Sequence, residues 1–202
     1  MNSKLLYLIA SWLFFIGTGL SQKSADSLSN VTNQKDKSRQ QLSPADIQRS
    51  AIKKAGFLAG CWEGTEWVLM PDGRKQNCIA VDSAEFKLKG TLLVFQGGLK
   101  VKISAEAVPF VVYEGMGILS YDENLEKYHL THFGTDGAYE IYECILSGKS
   151  LHCERRDKDN ALLRITLGVD EAGRWIEKGE RSQNGKTWIE TFETQMSKTE
   201  VK

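Results

Sequence analysis

The sequence has no excess of charge of either sign, and this excludes one broad class of partner. Its 202 residues contain 26 lysines and arginines against 26 aspartates and glutamates. Removing the leader predicted below takes away Lys4 alone, which leaves a net charge near −1. A nucleic-acid-binding surface needs a basic excess, so we expect no nucleic-acid partner.

The sequence also lacks the local motifs of common enzyme and metal sites. It has no Gly-x-Ser-x-Gly elbow, which would present a serine nucleophile. No two of its four cysteines lie two to four residues apart, the usual spacing in structural zinc sites. His129 and His132 are three residues apart, so on one strand they point to opposite faces and cannot share an ion. We therefore predict no catalytic residue and no metal site.

The one long apolar run is short for a membrane span. Residues 5–16 are twelve apolar or small residues that follow a positively charged start, whereas a spanning helix needs about 20. This layout is typical of a secretory signal peptide, with cleavage after Ser21, and implies a periplasmic or secreted protein with no membrane span after cleavage. An uncleaved membrane anchor is the alternative. The predicted organisation is a signal peptide over residues 1–21, a disordered polar spacer over 22–42 and one domain over 43–198.

One helix and a long series of strands are predicted. Ser43 and Pro44 favour a helix start, since serine is a good N-cap and proline suits the first helical position. The helix is expected over residues 44–55, with Gly56 able to end it. After Leu58, short runs rich in β-branched and aromatic residues alternate with turn signals, which is typical of an antiparallel meander. The predicted strands cover residues 60–70, 75–86, 91–96, 99–104, 109–120, 126–133, 137–146, 150–156, 161–169, 174–182 and 187–196.

A meander of this length would expose its edges unless it closed on itself. We therefore predict an all-β fold, a closed antiparallel up-and-down barrel of about 8–11 strands preceded by one short N-terminal helix. A two-sheet sandwich is the alternative architecture.

Cys144 and Cys153 are placed to form a disulfide. A two-residue turn at Gly148 and Lys149 sets Cys144 opposite Cys153. The alternation of pair types makes them a non-hydrogen-bonded pair, with backbones about 4.5 Å apart. This is within disulfide reach, so we predict that bond.

The hairpin of the predicted strands 60–70 and 75–86 places its two cysteines too far apart for a disulfide. A four-residue turn sets Met70 opposite Lys75 and Cys78 opposite Trp67. Cys61 then lies about 20 Å further along the strand. We therefore predict no bond between Cys61 and Cys78.

One carboxylate is tied to a tryptophan by strand alternation. Glu66 follows Trp62 by four residues, so both point the same way on a regular strand. A buried carboxylate costs several kcal/mol unless it is paired, and Arg164 is a candidate partner. Glu66 would form either a structural salt bridge or a polar anchor inside a pocket. Most other strand carboxylates, among them Glu140 and Glu177, alternate with apolar residues as solvent-facing positions do.

Four segments in order carry a resemblance to known barrels: "LAGCWEG", "LKGTLLVFQG", "GILSYDENLEKYHL" and "GRWIEKGERSQNGKTWIETFE". Gly60 and Trp62, after a short helix, resemble the Gly-x-Trp start of lipocalins and the wider calycin superfamily. The ordered set resembles a bacterial domain-of-unknown-function family with a lipocalin-like barrel, over residues 57–196. The resemblance implies a closed barrel with room for a small molecule, and it brings no activity and no catalytic residue.

The expected function is non-catalytic binding of a small apolar molecule inside the barrel. The residues predicted to line the site are Trp62, Glu66, Tyr113, His129 and Tyr142. A haem-binding small barrel is one alternative, and it needs a histidine that points into an open pocket. A structural or interaction barrel with a filled core is another, and it predicts an exposed apolar patch. The sequence does not fix the oligomeric state.

Overall fold

The computed structural model describes residues 42–200. The predicted signal peptide and its cleavage site lie outside these residues, as does almost all of the predicted spacer. Within residues 42–200, no helix has the length and apolar character needed to cross a bilayer.

The predicted helix is confirmed as α1, Pro44–Lys54. The Ser43 side chain accepts a hydrogen bond from the Asp46 backbone N–H at 3.2 Å, which satisfies one of the free donors at the helix start. Ala51 and Ile52 are buried, so one face of the helix packs against the domain. A single 3₁₀ turn, Gly56–Leu58, leads from α1 into the first strand.

Ten strands follow, each longer than a typical strand of five or six residues. They are β1 Gly60–Leu69, β2 Lys75–Lys87, β3 Leu92–Val101, β4 Phe110–Asp122, β5 Lys127–Gly134, β6 Tyr139–Ser147, β7 Ser150–Arg156, β8 Leu162–Val169, β9 Trp175–Ser182 and β10 Ile189–Thr199.

The strands form the predicted closed barrel. Each strand pairs antiparallel with the next along the chain, and β10 pairs with β1 from Cys61↔Thr199 to Val68↔Phe192. Closure leaves no strand edge of this sheet unpaired, which removes the liability of a long open meander. The alternative of two packed sheets is therefore wrong.

One predicted turn is wrong. The sequence "QGG" suggested a break between strands at 91–96 and 99–104, but Gly97 and Gly98 lie inside the single strand β3. They are there because neighbouring groups approach closely. A Cβ on Gly97 would overlap the Asp82 carboxylate, and one on Gly98 would lie 2.7 Å from the Tyr113 carbonyl oxygen. Glycine marks a close approach at these positions rather than a turn.

The register of the first hairpin differs from the prediction by one residue. Leu69, not Met70, faces Lys75, and Cys78 therefore faces Glu66 rather than Trp67. The loop is one residue shorter than expected, because Gly73 adopts a positive φ of 82° and Met70 N–H donates to the Arg74 carbonyl at 2.8 Å.

The cysteines behave as predicted. Cys144 and Cys153 face each other across β6 and β7 and form a disulfide, with Cα atoms 4.0 Å apart. Both are buried, so the bond lies inside the barrel. Cys61 and Cys78 are free thiols.

The barrel has a helix end and a far end. At the helix end, α1 and the 3₁₀ turn pack against the barrel, and the Tyr128 hydroxyl donates to the Ala51 carbonyl at 2.9 Å. The interior here is apolar and closely filled. Its members include Leu58, Trp62, Leu93, Leu119, Leu151, Leu167, Trp175 and Met196. At the far end, the barrel is bordered by the connections β1–β2, β3–β4, β5–β6, β7–β8 and β9–β10.

Candidate functional site

Trp62 and Glu66 both lie on the face of β1 that points into the barrel, as the alternation of side chains along a strand predicted. Trp62 is 2% exposed and points inward. Its indole N–H donates to the Leu58 carbonyl at 2.9 Å, which satisfies the one polar atom of a buried tryptophan. Glu66 lies four residues further along the same face, towards the far end. The direction of Trp62 therefore does bring a carboxylate into the barrel.

Among residues 42–200, Glu66 has a hydroxyl partner and no basic one. The Thr194 hydroxyl of β10 donates to Glu66 Oε2 at 2.6 Å. The predicted partner, Arg164, points outward, because its neighbours Leu163 and Ile165 take the inner face of β8. Outside the barrel, Arg164 Nε donates to the Glu154 carboxylate at 2.9 Å, and its guanidinium lies over the Trp188 ring. The salt-bridge interpretation of Glu66 is therefore wrong.

Two further carboxylates face the interior. Asp82 of β2 lies directly across from Trp62 of β1 in the strand register and above Gly97 of β3. Glu177 shares the inner face of β9 with Trp175, whose indole N–H donates to Glu177 Oε2 at 3.2 Å. The expectation that Glu177 faces solvent is therefore wrong.

The register brings Glu177 close to Glu66. Both lie directly opposite Thr194, on either side of β10. Their backbones are therefore about 10 Å apart, two strand spacings. Their side chains converge from this distance towards the centre of the barrel.

These three carboxylates, which we call the acid set, hold their protons more tightly than free carboxyls do. Burial raises the pKa of Asp82 to about 7, and the nearby Glu66 adds to the effect. Burial raises the pKa of Glu177 to about 8, with further contributions from Asp82 and Glu66. Burial also raises the pKa of Glu66, against the hydrogen bond from Thr194. The pKa values of Asp82 and Glu177 thus respond to the other carboxyls of the set, as expected for groups that share one interior.

No described lysine or arginine forms a salt bridge with the acid set. Two arginines do face the interior, and each is matched by another carboxylate. Arg155 pairs with Glu140, and Arg181 Nη2 lies 3.0 Å from Asp157 Oδ2. The acid set therefore has no counter-ion among the described residues, and any of its members that ionises is left unpaired.

The opposite wall, on β4 to β7, carries a chain of polar contacts. The Tyr113 hydroxyl lies 3.0 Å from His132 Nε2, and His132 Nδ1 lies 3.6 Å from Glu140 Oε2. The Tyr142 hydroxyl donates to the same carboxylate at 3.0 Å. Arg155 completes the chain through its pair with Glu140. Glu140 was expected to face solvent, and this too is wrong.

The acid set and this chain face the same space. Burial raises the pKa of Tyr113 to about 12, with smaller contributions from Asp136 and then from Glu66. Burial, Glu177 and Tyr113 together raise the pKa of the Tyr142 hydroxyl. The two walls are therefore parts of one interior site.

The structure places four of the five predicted lining residues inside. Trp62, Glu66, Tyr113 and Tyr142 lie on inner faces, whereas His129 lies on the outer face of β5 between Tyr128 and Leu130, both of which are buried. The inward histidine is His132 instead. The prediction that His129 lines the interior is therefore wrong.

His132 is poorly suited to bind haem iron. Its two ring nitrogens lie next to the Tyr113 hydroxyl and the Glu140 carboxylate, and an axial ligand needs one nitrogen free. Burial lowers its pKa, so it is held as a neutral ring. Among residues 42–200, no three histidine, cysteine, aspartate or glutamate side chains are grouped to hold a metal ion.

Apolar side chains complete the site. Phe95, Leu99, Leu163 and Ile165 face inward and pack against the core, but each keeps part of its surface accessible. The floor beneath them is aromatic: the Trp175 ring centroid lies 5.6 Å from that of Trp62 and 5.9 Å from that of Phe95, both edge to face.

Partial accessibility separates the site from the packed core. Glu66, Asp82, Tyr113 and Glu177 all face inward in a closed barrel, yet each retains accessible surface. Glu177 lies on the inner face of β9 in a closed sheet, directly opposite Leu167 of β8, so its accessible surface borders an internal space. This space, bounded by the aromatic floor and open towards the far end, is called the lumen below.

Two other concave surfaces lie apart from the lumen. A groove of about 480 Å³ on the outer face of β2 to β5 is lined by outward side chains such as Val81, Val111, Met116 and Phe133. A smaller depression of about 310 Å³ lies at the rim of the far end, beside Leu69 and the β9–β10 connection. Neither contains the acid set.

Comparisons with known proteins add no identity. No protein-family model matches the chain, and no curated protein matches it. The resemblance to lipocalin-like barrels therefore stays a prediction, and the site has to be interpreted from its own geometry.

Proposed function

We propose that the protein binds a small organic molecule in the lumen without transforming it. The observation that supports this most directly is the accessible surface kept by inward-facing side chains at the far end. A barrel that served only as a scaffold would gain stability by filling this space with apolar side chains. The chain instead places three carboxyls, two tyrosines and a histidine there.

The lining indicates a ligand of mixed character. Leu99, Leu163 and Ile165 offer apolar contact, as in most small-molecule sites. The acid set and the tyrosines offer a few directed polar contacts. The sequence predicted a mostly apolar ligand. The polar side chains of the lumen indicate that this ligand also carries a group able to form hydrogen bonds.

A binding role fits the chemistry of the lumen better than catalysis. Tyr113 is a poor nucleophile, because its pKa is raised to about 12. His132 Nε2 already shares a hydrogen bond with the Tyr113 hydroxyl, and burial lowers the pKa of the ring, so it is a weak base for taking a proton from a substrate. These groups are positioned to hold a ligand rather than to attack it.

We also propose that the protein is exported. The buried Cys144–Cys153 disulfide supports this, because such bonds persist mainly in oxidising compartments. The apolar run at residues 5–16 supplies the expected leader.

The proposal can be tested with N-phenyl-1-naphthylamine, a neutral dye that fluoresces in apolar sites. We expect saturable binding to the wild-type protein and its loss in Val68→Trp, which fills the lumen from the inner face of β1. Thr65→Trp, on the exposed outer face of the same strand, is the matched control and should bind normally.

Two outcomes would overturn the proposal. Equal binding by Val68→Trp would place the dye on the outer surface, where Met116 and Phe133 are exposed. No binding by any variant would favour the alternative of a barrel with a filled core. Native mass spectrometry of the purified protein adds an independent readout, since a copurified small molecule should be present in wild type and absent from Val68→Trp.

A further inference from the structure

We infer that the ligand of the lumen carries an ammonium group joined to a flat apolar body, with the ammonium held by Glu66, Asp82 and Glu177. This inference rests on the proposed function and names the class of ligand. Four features carry it: the missing counter-ion, the position of Glu177, the nearby aromatic floor and the pairing of the other charges.

The first feature is a set of carboxyl groups in an enclosed space, with no basic partner among the described residues. Isolated buried carboxylates are costly and are normally paired with a base or a metal ion. Here one hydroxyl and one indole N–H are the only hydrogen-bond donors that the described residues supply to the acid set. An ammonium group has three donors and a positive charge, so it provides what this wall lacks.

The second feature is the position of Glu177. It lies on the inner face of β9 within the closed sheet, and part of its surface stays accessible to the lumen. Only its Oε2 accepts a hydrogen bond from a described residue, so Oε1 is left for a ligand. A carboxylate oxygen at this depth can be reached only by a group that enters the barrel.

The third feature is the aromatic floor next to the acid set. Glu177 follows Trp175 by two residues on the inner face of β9, and Asp82 faces Trp62 in the strand register. A flat apolar body can pack against Phe95, which keeps accessible surface above this floor. Aromatic faces also attract cations within about 6 Å, so both parts of an aryl-alkyl ammonium find partners.

The remaining charged and titratable groups around the lumen do not cancel this preference. On β5 to β7, His132 is neutral and Arg155 is paired with Glu140. Arg181 on β9 is paired with Asp157. Cys78 on β2, next to Glu66, has its pKa raised by burial and is a neutral thiol. Tyr113 and Tyr142 are neutral phenols that can accept a hydrogen bond from the ligand.

Binding of such a ligand would release protons. At neutral pH the empty lumen keeps protons on Asp82 and Glu177, with pKa values of about 7 and 8. A bound ammonium favours the ionised carboxylates and so displaces these protons. Affinity should then rise with pH, by up to about tenfold per pH unit for each carboxyl that must ionise.

The test uses three probes with one indole body and different charges. Tryptamine is a cation, tryptophol is neutral and indole-3-propionate is an anion. By calorimetry at pH 8, we expect the wild-type protein to bind tryptamine at least about tenfold more tightly than either of the others, the effect of one charged hydrogen bond. Tryptamine affinity should increase from pH 6 to pH 8.

Variants locate the effect. Glu177→Gln should weaken tryptamine by about tenfold or more and leave tryptophol within about threefold. Glu63→Gln, on the exposed outer face of β1, should change neither. Circular dichroism checks that each variant is folded, and Asp82→Asn provides a second test if Glu177→Gln is not.

Failure of this inference is distinguishable from failure of the proposed function. Equal or tighter binding of tryptophol or indole-3-propionate would mean that the acid set acts as neutral hydrogen-bond donors, and the inference would be wrong. The same holds if the naphthylamine dye enters the lumen but tryptamine does not bind. Failure of the dye experiment itself would remove the proposed function.

Discussion

The two ends of this barrel are built from the same ten strands but filled in different ways. At the helix end, inward side chains such as Leu93, Leu119 and Trp175 are almost completely buried and apolar. At the far end, the same alternation brings in Glu66 and His132, which keep accessible surface. Closure of the sheet does not require inward side chains of a particular chemistry. The apolar residues at one end and the polar residues at the other therefore have different roles.

The helix end supplies the stability of the domain. Its residues form one continuous apolar cluster that includes α1 and both buried tryptophans, and such burial is worth about 25 cal/mol per Å². The far end works against stability, because carboxyls in its interior lose hydration without gaining a base. A sequence that keeps this arrangement departs from the best solution for folding, which is common at functional sites.

The largest expected effect tests this contrast with two leucines of one strand. Leu93 and Leu99 both lie on the inner face of β3, but Leu93 is fully buried at the helix end and Leu99 is partly accessible in the lumen. We expect Leu93→Ala to lower the free energy of unfolding by about 3–5 kcal/mol, because it leaves a cavity in a packed core.

Leu99→Ala should cost less than about 2 kcal/mol, since part of the Leu99 side chain is already accessible in the folded state. Urea unfolding followed by circular dichroism measures both values, and a constant slope with denaturant confirms that they are comparable. Equal costs for the two variants would show that the far end is packed as tightly as the helix end, and the contrast would be lost.

The next effect uses pH to weaken the far end alone. The folded protein keeps protons on Asp82 and Glu177 up to pH values of about 7 and 8, whereas an unfolded chain releases them near pH 4. Between these limits the folded state binds more protons, so stability falls as pH rises. We expect a loss of about 2–4 kcal/mol between pH 5 and pH 8.5.

The double variant Asp82→Asn and Glu177→Gln should abolish most of this loss and be more stable than wild type at pH 8.5. Surface ion pairs such as that of Arg174 with Asp170 do not contribute to the change in stability over this pH range. The pKa of Asp170 is lowered by its contacts with Arg174, so this group gains a proton only at more acidic pH. The measurement is the midpoint of thermal unfolding across the pH range. An unchanged slope in the double variant would mean that these carboxyls are not the titrating groups.

Much of the fold and part of the site could be predicted because successive side chains of a strand point to opposite faces. The direction of one side chain therefore fixes that of the others on its strand. The direction of Trp62 fixed that of Glu66, and the turn at Gly148 fixed the pairing of Cys144 with Cys153. Alternation was equally informative at His129, which lies between Tyr128 and Leu130. Two large apolar neighbours on the inner face should have indicated that His129 faces out.

Other parts of the site could not be found by the same argument. Glu177 shares its face with Trp175, and this signal was present, but Ile176 on the other face competes with it as a candidate for the interior. Gly97 looked like part of a turn, since only the folded barrel shows that Asp82 occupies the space above it. Such contacts between strands depend on register, which local sequence does not determine.

The smallest expected effect concerns the one hydroxyl that supports the acid set. Thr194 is 2% exposed and donates to Glu66 Oε2 at 2.6 Å. Thr194→Val keeps the shape of the side chain and removes the donor. Below pH 4 the folded and unfolded states both hold Glu66 protonated, so the variant should there lose only the neutral hydrogen bond.

At pH 8 the loss should be larger by about 1 kcal/mol, because a hydrogen bond to an ionised carboxylate is stronger than one to a neutral carboxyl. Glu66→Gln separates the two contributions, since Thr194→Val should cost the same at every pH in that background. A pH-dependent cost that survives Glu66→Gln would mean that Thr194 supports Glu177 instead, which lies directly across from it on β9. The paired measurement thus decides which of the two carboxylates depends on the hydroxyl that lies between them.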